Sequence, residues 1–153
     1  MFARLSTRRA ARAALVLALA ATGACGDATG PDDDDDDHQE AAGMVITDQS
    51  NVTLVSVSAQ RQVTGTLTVA AGQARHLEVY FVDEDGDRFQ LDDGDEHALA
   101  WEVANESVAT IDSHDGHLDL DGVAAGSTTV VFSLLHGNHS DYDSPAIPIT
   151  VTP

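Results

Sequence analysis

Histidine, a common metal ligand, occurs seven times in this 153-residue chain. His136 and His139 are separated by two residues and are followed closely by Asp141. Neutral imidazole and carboxylate are the ligands that zinc takes, and copper, nickel or manganese accept them too. We therefore predict a divalent-metal site that uses His136 and His139, with His97, His114 or Asp141 in support.

An acidic run, Asp83-Glu84-Asp85-Gly86-Asp87, suggests a calcium site but lacks the spacing of an EF-hand. Gly86 is fourth in the run rather than sixth, and Gly94 stands where a glutamate should be twelfth. We interpret the run as an Asp-Gly turn after a strand, able at most to bind calcium weakly.

Catalytic motifs are scarce. Ser140 and Ser144 lie near His139 and Asp141, but a hydrolytic triad also needs an oxyanion hole and a pocket, and this segment indicates neither. The sequence also contains no phosphate-binding glycine loop and no cysteine-metal motif. We predict that the protein is not an enzyme.

The single cysteine, Cys25, stands where an arginine-bearing apolar leader gives way to an acidic sequence. The apolar run 13–21 is far shorter than the roughly 20 residues that cross a bilayer, so residues 1–24 read as a secretory signal. Thr22-Gly23-Ala24-Cys25 resembles the lipobox of bacterial lipoproteins, which implies lipidation of Cys25. An ordinary signal with an unmodified cysteine is the alternative, and Thr7-Arg8-Arg9 leaves twin-arginine export open.

Charge limits the partners of the chain. After residue 24, three arginines remain against 26 acidic residues, a formal charge of −23, and lysine is absent. Such a surface repels phosphate backbones and anionic lipid heads, so no nucleic-acid partner is expected. Divalent cations and basic partners remain possible, and adaptation to salt would produce the same composition.

Six consecutive aspartates, residues 32–37, predict a disordered, self-repelling acidic tether over residues 25–42. His38 ends the run, and the six aspartates and His38 could together bind calcium or zinc weakly. A solvated spacer is the favoured interpretation. Residues 43–153 are the length of one domain.

From residue 43 onward, β-branched and apolar runs alternate with Gly, Asp and Asn turns, which predicts an all-β domain. Strands are predicted over residues 44–47, 52–59, 63–69, 74–82, 98–104, 108–112, 117–121, 127–135 and 146–152. Seven or more short strands imply an antiparallel β-sandwich. Alternation assigns these side chains to its core: Leu77, Val79, Phe81, Trp101, Val130 and Phe132.

The middle of the chain resembles the bacterial Ig-like domain, group 2. The motifs are Trp101-Glu102-Val103, Asn105-Glu106-Ser107-Val108-Ala109-Thr110-Ile111-Asp112, the turn glycine Gly116, and Gly122-Val123-Ala124-Ala125-Gly126 with Val130. The resemblance extends over about residues 63–152 and implies an Ig-like β-sandwich of about seven strands in a cell-envelope protein, usually without catalysis. Residues 83–97 and 136–144 do not fit the family pattern.

The sandwich would bring the histidines together, because three of its loops gather at one end. Those loops would be residues 83–97, 113–116 and 136–144, which carry His97, His114, His136 and His139, with His117 at the edge. Metal affinity should then fall as the pH drops through about 6.5, where free imidazole takes up a proton. Exposed loop histidines that bind nothing are the alternative.

Three functions are compatible with the sequence. The first is a non-catalytic lipoprotein, anchored in the membrane of the cell envelope and facing the periplasm or the exterior, that presents an Ig-like domain to an unknown envelope protein or glycan. The second is a zinc-type metal-binding lipoprotein that uses the histidines at one end of the sandwich. The third is salt-adapted surface decoration without a specific partner. Clustered histidines would favour the second function over the first.

Overall fold

The structure is a computed structural model that describes residues 40–91, 96–114 and 117–153. These residues form strands, turns and bends, and none of them is helical. The strands are β1 (Gly43–Thr47), β2 (Thr53–Val57), β3 (Val63–Gly65), β4 (Leu67–Ala70), β5 (Ala74–Val82), β6 (Arg88–Phe89), β7 (His97–Val103), β8 (Ala109–His114), β9 (His117–Gly122), β10 (Gly126–His136), β11 (His139–Asp143) and β12 (Ile147–Thr152).

Two sheets share one hydrophobic core. The seven-stranded first sheet has the order β3-β2-β1-β5-β9-β8, and β6 pairs with the end of β5. In the five-stranded second sheet β10 is central. β7 pairs along one side of β10, and β11 and β12 pair with successive parts of its other side. β4 pairs with β12 and extends the sheet. Every strand pair is antiparallel except β4 and β12, which are parallel. The prediction of an all-β sandwich is confirmed.

The core contains the inward rows of both sheets. Five of the six predicted core residues are buried there: Leu77, Val79, Phe81, Val130 and Phe132. Trp101 is only partly buried and packs against this core, which corrects its prediction as a core residue. It lies opposite Phe132 and faces inward, but β7 is an edge strand, so the ring stands at the border of the core. Its Nε1 donates a hydrogen bond of 3.0 Å to the carbonyl of Ile111, on β8 of the other sheet.

The single strand predicted over residues 63–69 is wrong, because the chain changes sheets within it. β3 pairs with β2 in the first sheet, whereas β4 pairs with β12 in the second. Gly65 sits at the change with φ +99°, and a Cβ there would collide with the carbonyl oxygen of Leu54. Only glycine adopts this conformation readily and fits so close to the neighbouring backbone.

The segment predicted as a loop, residues 136–144, is also largely strand. His139–Asp143 forms β11, and only Gly137 and Asn138 turn the hairpin, with Gly137 at φ +58°. The hairpin of β1 and β2 belongs to the sandwich, since β1 pairs with both β2 and β5.

The family-like motif has clear local roles. The side-chain oxygen of Asn105 accepts hydrogen bonds from the amide and the hydroxyl of Ser107, which fixes the turn before β8. Gly122 lets two backbone segments of the chain approach closely, because a Cβ there would collide with the carbonyl oxygen of Ala70.

Several predicted features lie outside the described residues: the signal, Cys25, the tether up to residue 39, and the turn Asp115-Gly116. Within the described ranges, no helix is long and apolar enough to cross a membrane.

Candidate metal centres

Strand pairing brings three histidines side by side across β7, β10 and β11. His97 is in register with His136, and His136 is in register with His139. His136 continues the inward row of Phe132 and Leu134, at the end of β10 where side chains become partly exposed. Directly opposed residues in a sheet have Cβ atoms about 5 Å apart, so their imidazoles can reach one another.

One carboxylate joins this group. Asp141 Oδ2 lies 3.3 Å from His97 Nε2 and 3.8 Å from His136 Nδ1. The three residues each offer a ligand atom, and these atoms all lie within 4.8 Å of one another. Zinc bonds of 2.0–2.1 Å in a tetrahedron place neighbouring ligand atoms about 3.3 Å apart. The set of His97, His136 and Asp141, which we call the hairpin cluster, needs little movement to hold such an ion.

Two further residues contact the hairpin cluster without joining it. Glu96 Oε2 lies 3.2 Å from His136 Nε2, so it can accept a hydrogen bond from that nitrogen, while Nδ1 is the nitrogen that faces Asp141 Oδ2. His139 Nε2 lies 3.0 Å from Asp141 Oδ1, the oxygen that does not face His97, and the His139 side chain is 69% exposed. The structure thus brings together His97, His136 and Asp141 and gives His139 a contact to the carboxylate instead of a place among the three.

His114 lies elsewhere. It is at the end of β8 in the first sheet, in register with His117. His117 belongs to a second group on the outer face of that sheet, His76, His117 and Asp119, which we call the sheet-face cluster. His76 Nδ1 is 3.2 Å from Asp119 Oδ1, and the rings of His76 and His117 lie 3.7 Å apart.

The acidic run after β5 forms a turn, as interpreted from the sequence. The carboxylate of Asp83 accepts a hydrogen bond of 2.9 Å from the amide of Asp87, and Gly86 has φ +91°. The Asp83 carboxylate therefore stabilises the turn itself.

The serines near His139 also have structural partners. Ser144 Oγ accepts a hydrogen bond from the Phe132 amide at 2.9 Å, and Ser140 Oγ lies 2.8 Å from Asp143 Oδ1. Hydrogen bonds from Ser133 and Ser140 lower the pKa of Asp143, although burial opposes them. Both hydroxyls therefore have roles in holding the end of the hairpin.

A cleft of about 250 Å³ opens between the sheets. Its walls combine apolar side chains, among them Leu77 and Leu99, with Trp101 and with polar residues such as Gln90 and His97.

Sequence reasoning missed the sheet-face cluster. The alternation in β5 identifies His76 as outward-facing, and the same alternation in β9 does so for Asp119. Their meeting depends on the register of β5 with β9, which pairs His76 with Asp119 across 43 positions of sequence. No local pattern contains that register.

No family model matches this chain, and no curated protein matches it. Among solved structures, the chain is similar to domains 4 and 5 of the S-layer protein SbsC, with 23% identity over 59% of this chain and 49% of that one, and a TM-score of 0.42. It is similar to domains 5-6 of the same protein at 23% identity, 58% and 40% coverage, and a TM-score of 0.42. The chain therefore spans less than half of each of these S-layer fragments.

Proposed function

We propose that this protein is a lipid-anchored cell-envelope protein whose Ig-like β-sandwich binds a divalent transition metal of the zinc type at the hairpin cluster. The observation that carries the proposal is the convergence of His97, His136 and Asp141 on a region where their ligand atoms lie within 4.8 Å. Two imidazoles and one carboxylate form a zinc-type donor set with a fourth position left for water or another ligand.

The surroundings favour an ion at this place. Glu96 accepts from the far nitrogen of His136, the arrangement that orients histidine ligands in metal sites. The chain carries a formal charge of −19, so its field attracts cations. A site made from paired strands is also held more firmly than one made from loops.

Zinc titration by calorimetry tests the metal site. The purified protein is titrated in excess magnesium, which occupies carboxylate-only sites such as residues 32–37 but prefers oxygen to imidazole. His97→Ala and His136→Ala should each weaken binding at the hairpin cluster by more than the roughly 10- to 100-fold that loss of a supporting residue costs. Glu96→Gln and His139→Ala should each have a smaller effect, because neither side chain is in the group of three.

His38→Ala is the matched control, since it removes a histidine that lies before the folded strands. If His97→Ala and His136→Ala bind zinc as well as His38→Ala does, the hairpin cluster is not a metal site. The sandwich would then be a module for structural or recognition roles.

The lipid anchor has its own test. Changing Cys25→Ser should move the protein from the membrane fraction to the soluble fraction, because two acyl chains suffice for stable anchoring. Ala28→Ser is the control and should stay in the membrane. An intact mass that shows unmodified Cys25 in membrane-derived protein would contradict the anchor.

A further inference from the structure

The outer face of the first sheet carries a second concentration of metal-ligand side chains. Across β8, β9 and β5 the register aligns Asp112 with Asp119 and Asp119 with His76 in one row. The next row aligns His114 with His117, and Glu78 is the outward residue that follows His76 on β5. Three histidines and three carboxylates thus occupy six neighbouring outward positions.

Within this patch, three residues meet closely. The ligand atoms of the sheet-face cluster all lie within 4.8 Å of one another. His76 Nδ1 and Asp119 Oδ1 are 3.2 Å apart, close to the roughly 3.3 Å between neighbouring ligand atoms of tetrahedral zinc. The side chains of His76 and Asp119 are 19% and 28% exposed, so they are held by their surroundings yet open to solvent.

A simple ion pair explains this patch less well. The His76 and Asp119 pair needs no third partner, yet the His117 ring lies 3.7 Å from the His76 ring, tilted by 42°. Asp112, in register with Asp119, and Glu78, two residues after His76, add negative potential to this face of the sheet, which favours a divalent cation.

We propose that the sheet-face cluster, His76, His117 and Asp119, is a second binding site for a divalent transition metal, separate from the hairpin cluster and in the other sheet. Its three protein ligands leave a position for water or for a donor from another molecule. When the metal binds, it takes the place of any proton shared between His76 Nδ1 and Asp119 Oδ1. This site does not depend on the hairpin cluster.

Histidine-ring NMR of the unaltered protein provides the first test. Zinc is added in excess magnesium, and long-range ¹H–¹⁵N spectra follow each imidazole. The ring nitrogens of His76 and His117 should shift and saturate with zinc. If the His76 and His117 signals stay unchanged, the sheet-face site is refuted, whatever the His97 and His136 signals show. If only the His97 and His136 signals stay unchanged, the hairpin cluster is refuted as a metal site and the sheet-face site stands.

Variants provide the second test. In a His97→Ala/His136→Ala background, calorimetry should still record one histidine-dependent zinc site. Adding His76→Ala or Asp119→Asn should weaken that site by more than about tenfold. Asp121→Asn is the control, because it removes the same charge two positions further along β9. Equal binding by the Asp119→Asn and Asp121→Asn proteins would overturn the proposal.

Discussion

Trp101 joins the two sheets at their open edge, so its removal should destabilise the fold strongly. The indole extends from β7, packs against the border of the core and donates a hydrogen bond to Ile111 on β8. Replacing a buried tryptophan with alanine costs about 3–5 kcal/mol of unfolding free energy. Trp101 is only partly buried, so we expect about 3 kcal/mol for Trp101→Ala.

Trp101→Phe separates the two contributions. Phenylalanine keeps much of the apolar contact but cannot donate to the Ile111 carbonyl, so the cost should be about 1–2 kcal/mol. The remainder of the alanine effect then belongs to packing beside the cleft that Trp101 lines.

Urea unfolding followed by far-ultraviolet circular dichroism is the suitable assay, because both changes remove the only tryptophan of the chain. With an m-value of about 1–3 kcal/mol per molar urea, a loss of 3 kcal/mol lowers the midpoint by about 1–3 M. Val123→Ala serves as control, since Val123 is 51% exposed and should cost no more than about 0.5 kcal/mol. A Trp101→Ala midpoint equal to that of Val123→Ala would refute the bridging role.

Two further predictions concern the tyrosines. The Tyr142 hydroxyl is buried without a hydrogen-bond partner among the described residues, and the ring contacts Phe81 edge-on. Tyr142→Phe should therefore leave the free energy of unfolding unchanged or raise it by up to about 1 kcal/mol. Burial raises the pKa of Tyr142 above its unfolded value, so the native protein should lose stability as the pH rises above about 10, and the Phe variant should lose less. A lower urea midpoint for the variant at neutral pH would contradict this account. The hydrogen bond that Tyr80 donates to Glu78 raises the pKa of Tyr80, so Glu78→Gln in a Tyr142→Phe background should lower the pKa seen in the phenolate absorbance, whereas Glu102→Gln should not.

Alternating residues made the two-sheet core predictable, because burial of one face selects every second side chain. This pattern placed Leu77, Val79 and Phe81 correctly. Trp101 differed because alternation reports which way a side chain faces and not whether its strand lies at a sheet edge.

The errors in strand prediction have local causes. Residues 63–69 read as one apolar run, and a single glycine, Gly65, allows the chain to leave one sheet for the other. β11 contains only one large apolar residue, Tyr142, so its sequence lacks the usual strand composition, and pairing with β10 makes it a strand. The Gly-Asn pair before it was the available hairpin signal.

Residue types alone made the hairpin cluster partly predictable, whereas the same residue types concealed the strand β11. Residue types at His136, His139 and Asp141 indicated metal chemistry without any knowledge of pairing. Which side chains converge depends on strand pairing. The register of β7 with β10 brings in His97, and the pairing of β8 with β9 places His114 in the other sheet.

The position of the hairpin cluster supports a functional origin for its residues. Two segments that lie far apart in the sequence, residues 83–97 and 136–144, supply these residues. Glu96 and His97 end the first segment, and His136 and Asp141 belong to the second, yet these four side chains contact one another across strands. Folding alone does not require this arrangement, because the core ends at Leu134 and an apolar or neutral residue at position 136 would suit the strand equally well. Polar side chains that converge where folding does not require them favour the proposed metal site over a purely structural role.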